Sequence, residues 1–364
     1  MRSHITITAL LTALALLAAP VLAAEGDGIE RTASGRPDFS GNYDVSTLTP
    51  FTRPEEFGDN LELTPEEASA ITEKELARVA LREANRGPVE QAPPDGGAPP
   101  IGVGEEFRER GGAGNVGGYN NFWTDRGTDV FSVDGKFRTS ILVDPPNGRM
   151  PESTAAARER FSQRRKFFRP NDGSAWWVEL DGAGPYDGPE SLPTSERCVL
   201  GFTGAAPTFP SLYNNFKSIV QTEDHVMILI EMVHDARIVR MNSEHPGPGV
   251  TKWLGDSIGW WEGDTLVVDT TNFHPKVSVR GGTSSSHVVE RFTAMADGNV
   301  LYRFTVEDPN TWKAPWTGEY VWRSSPNRVY EYACHEGNYS MGGTLRGARL
   351  LESEAHAKGA SGGE

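Results

Sequence analysis

Ile258-Gly259-Trp260-Trp261-Glu262-Gly263-Asp264-Thr265-Leu266-Val267-Val268-Asp269-Thr270 carries the pattern on which the architecture turns. Two runs of β-branched, aromatic and apolar residues flank Glu262-Gly263-Asp264, a turn-forming trio, and together they predict a β-hairpin. The unit recurs in both directions. Lys217–Gln221 and Val226–Met232 flank Thr222-Glu223-Asp224, and His287–Met295 and Val300–Val306 flank Asp297-Gly298-Asn299. Upstream, Asp129–Val133 and Phe137–Val143 flank Asp134-Gly135, a strong hairpin turn. Downstream, Glu319–Arg323 and Arg328–Ala333 flank residues 324–327. Five hairpins in succession predict an antiparallel meander of about ten or more strands. Alternation in Val226–Met232 is partial: Val226, Ile228 and Ile230 against Met227, Leu229 and Glu231 reads as a strand buried on both faces.

A sheet of that many strands must close or fold over to remove its long edges. The expected fold class is therefore mainly β: an antiparallel meander closed into a barrel or a curved two-sheet clam, with a few peripheral helices. Gly41-Asn42-Tyr43, opening the first strand, is similar to the Gly-x-Trp step of lipocalin-like barrels. Short βαβ units are absent, which excludes a Rossmann or TIM architecture. The 40 Gly and 25 Pro also exclude a helical bundle, since both penalise helix interiors.

Helices are predicted at Glu66–Asn85, where Thr64, Pro65 and Glu67 form a capping box, and at Glu152–Arg165 and Thr344–Ala357. The chain divides into a leader (1–23), an N-terminal segment with one helix (24–85), a Gly/Pro-rich linker or loop (86–118), a β domain (119–357) and a disordered tail (358–364). The leader has Arg2 and His4 before the apolar run Ile5–Ala19, then Val21-Leu22-Ala23-Ala24, the pattern of a secretory signal peptide. Its apolar core is too short for a membrane span. The expected location is periplasmic or secreted. A disulfide persists in that compartment, so Cys198 and Cys334, the only two cysteines, are expected to bridge. The formal net charge of −15 makes nucleic acid a poor partner.

Nucleophile elbows, P-loops and metalloprotease motifs are missing. What remains is histidine beside carboxylate: His234-Asp235 after a strong strand, His335-Glu336 after Cys334, and His287 with Glu290 three residues on. Histidine transfers protons near neutral pH, and a carboxylate partner fixes its tautomer. His274 is a weaker candidate of the same kind, and His245, in Glu244-His245-Pro246, reads as a loop residue. These side chains also suit a divalent metal, although their long spacings carry no ligand signature. No other cofactor is implied.

Nine tryptophans read mainly as barrel filling. Trp123 and Trp261 are the ones assigned to a ligand. Tyr119-Asn120-Asn121-Phe122-Trp123 has a near-copy in Tyr213-Asn214-Asn215-Phe216-Lys217; the Asn side chains there orient a substrate oxygen or cap a turn, so Asn121, Tyr213 and Asn215 are candidate substrate contacts. Arg237 and Arg280 are candidates for holding a carboxylate or stabilising an oxyanion.

Several of these stretches, with Asp144-Pro145-Pro146-Asn147-Gly148-Arg149, Trp261 to Phe273 and Tyr330-Glu331-Tyr332-Ala333-Cys334-His335-Glu336-Gly337-Asn338-Tyr339, resemble a family of uncharacterised exported bacterial proteins. The resemblance spans about 119–349 and implicates the same His, Asn and Trp positions. It implies no particular reaction. The sequence reading favours an exported lyase or hydrolase acting on a carbohydrate or a small polyhydroxylated or aromatic compound. The alternative is a non-catalytic, lipocalin-like small-molecule binding protein of the cell envelope.

Overall fold

A computed structural model describes residues 28–84, 124–167, 169, 173–277 and 279–361. The leader, the 86–118 stretch, Asn121 and Trp123 lie outside the described residues. In chain order the strands are β1 (Gly41–Asp44), β2 (Glu62–Leu63), β3 (Ser132–Val133), β4 (Lys136–Arg138), β5 (Leu142–Asp144), β6 (Phe216–Gln221), β7 (His225–Ile230), β8 (Ala236–Met241), β9 (Asp256–Glu262), β10 (Thr265–Thr271), β11 (His287–Ala294), β12 (Val300–Glu307) and β13 (Trp316–Ser325).

Nine of them close a barrel: β1, then β6 through β13, with β13 returning to pair with β1. Closure removes the edges that an open meander would expose. An odd ring cannot alternate direction all the way round. One neighbouring pair must run parallel, and it is β8–β9, with Val239–Met241 opposite Ser257–Gly259. The count and the parallel seam depart from an eight-stranded up-and-down barrel. The 242–255 connection must travel the length of the wall to bring β9 back to the end where β8 began.

The barrel interior is filled. Trp316, Trp322, Tyr302, Tyr320, Phe292 and Phe304 are fully buried, and they interlock at centroid separations of 5.0–5.8 Å. Gly318 makes room for this packing. A Cβ there would stand 2.3 Å from the Phe304 ring, so only glycine admits the phenyl. In β7 the two faces differ: Val226, Ile228 and Ile230 are buried while Met227 and Leu229 are half-buried. The strand is thus one-sided rather than buried on both faces, because its outer side reaches solvent through the barrel wall.

Three of the hairpins read from sequence build the barrel directly: β6–β7, β9–β10 and β11–β12. The Asp134-Gly135 turn joins β3 to β4 in a separate three-stranded sheet with β2. The expected strand at 328–333 is absent. Residues 326–338 are irregular, and β13 pairs with β12, β1 and β5 instead.

Helices are α1 (Pro65–Ala84), α2 (Ala155–Arg165) and α3 (Tyr339–Ser361). The α1 capping box forms reciprocally. Thr64 N donates to Glu67 Oε2 at 2.8 Å and Glu67 N donates to Thr64 Oγ1 at 3.2 Å. α3 continues past Ala357 to Ser361, so helix occupies the first part of the expected disordered tail. Among the described residues, no helix is long and apolar enough to cross a membrane.

Candidate functional site

Antiparallel alternation sends the β7–β8, β10–β11 and β12–β13 connections out of the same end of the barrel. A plug, residues 198–211, fills that mouth. Leu200, Ala206, Thr208 and Phe209 on it are buried. Tyr320 Oη donates to Thr208 O at 2.9 Å, and Thr208 N donates to Tyr302 Oη at 3.1 Å. Phe209 meets Phe304 and Phe51 edge-on and stacks on Trp316. Gly201 N donates to the buried Asp235 carboxylate at 2.8 Å. The disulfide Cys198–Cys334, Cα–Cα 5.7 Å, ties the start of the plug to the C-terminal segment, and the expected bridge is present.

Two concavities of about 360 and 650 Å³ lie beside the plug and share Pro210, Ser211 and Arg280. The larger is walled by Leu48, Phe51 and Ile71, with Lys74, Arg126 and the Arg78–Glu75 ion pair at its polar edge. Arg280 sits in the β10–β11 connection at φ 51°, in the left-handed region. Its guanidinium lies 3.9 Å from the Phe51 ring centroid and 4.4 Å from that of Phe209. Cation–π attraction holds the group in place while its edge stays open to solvent. Desolvation beside the rings pulls its pKa below the ordinary guanidinium value. Among the described residues no carboxylate pairs with it, in a chain of 50 acidic residues.

The sequence-derived candidates fall into separate places. His234 and Asp235 form the β7–β8 link, where Val233 and His234 both have positive φ, 60° and 53°. His234 Nε2 accepts from Tyr332 N at 2.8 Å, so that nitrogen is already engaged. Burial pushes the Asp235 carboxyl up to about 6, against the opposing pull of Gly201 N–H and Lys217. Lys217 faces the barrel interior, fully buried, and its ammonium has no hydrogen-bond acceptor among the described residues. Burial pulls it down to about 8, although Glu231, Asp235 and Asp44 act in the other direction. His335 and Glu336 are exposed in the irregular segment that follows Cys334.

Arg237 and Asn215 have structural partners instead of an open site. Arg237 is locked inside the barrel on Glu290, and Tyr302 Oη also donates to Glu290, at 2.6 Å. Asn215 braces its own loop. It donates to Asp125 O and Ser211 O and accepts from Ser211 N, which leaves nothing for a substrate. Tyr213 packs edge-on against Phe202 beside the plug. Trp261 belongs to the opposite end, stacked on Phe39 at 5.8 Å.

His287 belongs to a polar chain on the outer wall. His287 Nε2 meets Asp269 Oδ2 at 2.7 Å, His245 Nε2 meets Asp269 Oδ1 at 2.9 Å, and His245 Nδ1 meets Asp256 Oδ1 at 2.8 Å. Arg240 and Lys252 close on the fully buried Asp256. The hydrogen bond to Asp269 raises the His287 pKa. Asp256 and Asp269 are not among the sequence-derived candidates, and His245 reads there only as a loop residue. Their outward parity in β9 and β10 is a signal, but the loop that brings His245 to them is not. Among the described residues no group of three or more His, Cys, Asp or Glu is arranged to hold a metal ion.

Compared with protein-family models, with curated proteins and with solved structures, the chain matches none.

Proposed function

We propose that the protein is an exported, non-catalytic binding protein for small organic anions with an apolar body, taken up at the plugged barrel mouth. The observation that carries this reading is Arg280: a guanidinium pinned by two phenyl rings, without a carboxylate partner, at the junction of two concavities. Apolar walls with a few convergent polar groups are the usual make-up of a ligand site. A carboxylate or phosphate would dock on the guanidinium through charge-assisted hydrogen bonds, and its apolar part would cover Leu48, Phe51 and Ile71. Export to the periplasm or beyond is supported by the leader pattern and by the disulfide.

Calorimetric titration with octanoate and 4-ethylbenzoate, against octanamide and 4-ethylbenzamide, tests it. The carboxylates should bind about tenfold or more tighter than the amides, and Arg280→Met should remove that difference. Equal binding of acid and amide, or no binding of either acid, refutes the reading.

A second reading, acid–base catalysis on a carbohydrate or aromatic compound, draws on Asp235. It is a carboxyl pushed up to about 6 beside His234, in the same barrel end as the buried Lys217. Turnover of a glycoside panel that falls in Asp235→Asn, with the fold intact, supports it. Turnover unchanged in that variant removes it.

A further inference from the structure

Helix α3 and residues 173–186 make a second small core, separate from the barrel. Ala175, Trp177 and Ala348 are its buried centre. Trp177 Nε1 donates to Glu352 Oε1 at 2.7 Å, and Arg349 donates to Tyr186 O at 2.8 Å, so the two elements are tied at their edges. Between them lies a pocket of about 280 Å³, walled by Trp176 and Tyr186 and floored by Gly343 and Gly347. It shares no lining residue with the concavities at Arg280.

The glycines are informative because the fold does not need them. Neither has a positive φ, and a Cβ at either position would meet nothing within 4 Å. Glycine is penalised against alanine in a helix interior, so backbone strain and close packing do not explain these two. What the missing side chains leave is the open floor of the pocket. Arg169 stands at the edge, its guanidinium 4.4 Å from the Trp176 ring centroid, with no carboxylate partner among the described residues. The Thr344 hydroxyl also borders the space.

These features ask for a ring with one apolar face, a hydroxyl-rich rim and a negative charge. The rings of Trp176 and Tyr186 offer electron-rich surface to polarised C–H groups beside the guanidinium that Arg169 holds over Trp176. The bare helix face lets a broad ring lie close, and guanidinium recognises carboxylate in a planar, two-pronged geometry. The volume is below the range of drug-sized sites, which suits a single ring. We propose that this pocket is a binding site for one sugar-acid ring, a uronate, with its C–H face against the aromatic wall of Trp176 and Tyr186 and its carboxylate on Arg169.

Titration of the full chain with glucuronate, glucose and benzoate, by calorimetry or saturation-transfer NMR, tests the proposal. Glucuronate should bind about tenfold or more tightly than glucose or benzoate, and Arg169→Met should remove the preference over glucose. Gly347→Ala separates binding from structure. It should raise the melting temperature, as a helix-favouring change, while weakening glucuronate about tenfold by filling the floor. Arg280→Met should leave glucuronate binding unchanged, which separates this site from the one at the barrel mouth. No glucuronate binding at the highest soluble concentration overturns the proposal. So does glucose or benzoate binding as well as glucuronate, or affinity unaltered in both Arg169→Met and Gly347→Ala.

Discussion

Replacing Arg237 by methionine should cost the fold about 3–5 kcal/mol, because it leaves a carboxylate alone inside the barrel. Arg237 is 2 % exposed and Glu290 0 %. Arg237 Nη2 donates to Glu290 Oε1 at 2.7 Å, and Nη1 reaches the other oxygen. Methionine replaces the volume of the aliphatic stem but none of the charge. Tyr302 Oη then remains the one described donor to Glu290, and a single neutral hydrogen bond does not compensate a buried carboxylate. The expected signature is a fall in melting temperature on the order of 10 °C and a lower urea midpoint at unchanged slope. Arg237→Met with Glu290→Leu should recover at least half of the loss, since removing both charges also removes their desolvation penalty. Urea denaturation followed by tryptophan fluorescence measures all three proteins. A single variant within about 1 kcal/mol of the parent, as a surface change would be, refutes the reasoning and reopens Arg237 as a ligand contact.

The disulfide spans a sequence separation of 136 residues, so Cys198→Ser with Cys334→Ser should lose about 2–5 kcal/mol, read as a lower denaturant midpoint. Unreduced protein should yield no alkylatable thiol, and finding two would contradict the bridge. The His287 contribution has a definite sign. Its folded pKa is raised, so its stabilisation is complete below about pH 6.5 and fades as pH rises through the folded value. The Asp269 carboxyl is pushed up by burial but pulled down further by hydrogen bonds from His287 and His245, so its share is present above about pH 4 and fades as pH falls through the folded value. Denaturant midpoints measured from pH 3 to 9 should therefore lose part of their high-pH decline in His287→Ala, and an identical profile would break the link.

How much of this was legible depended on how local the cause was. Four of the five hairpin turns, the Thr64–Glu67 box and the closed mainly-β class follow from neighbours in sequence and appear in the structure. Ala236–Met241 was not read as a strand, because Arg237 and Arg240 break its apolar pattern, and only Glu290 from β11 makes a buried Arg237 tolerable. Arg328–Ala333 carries strand-like residues but finds no open edge, since β13 is already flanked by β12, β1 and β5. The site failed for the same reason. His234, Asp235 and Arg280 were visible as residue types, yet what each faces comes from remote segments: Tyr332, Gly201, Phe51 and Phe209. The near-copy motif leaves Asn215 open as a substrate contact or a turn cap, and only Asp125 and Ser211 decide for the brace.

The parallel seam between β8 and β9 has a consequence for how such a barrel can change. Hairpins enter or leave a sheet two strands at a time, and adding two to an odd ring keeps it odd. Growth or loss by whole hairpins therefore never abolishes the mismatch in direction. It can only move it around the wall. Where the mismatch falls between strands consecutive in the chain, as β8 and β9 are, their connection becomes a strap that runs the length of the wall. Here that strap is 242–255, and the His245 link to Asp256 and Asp269 is what fastens it to the strands it passes. The outer-wall histidine chain is thus the clasp of a parity defect, and its position follows the seam.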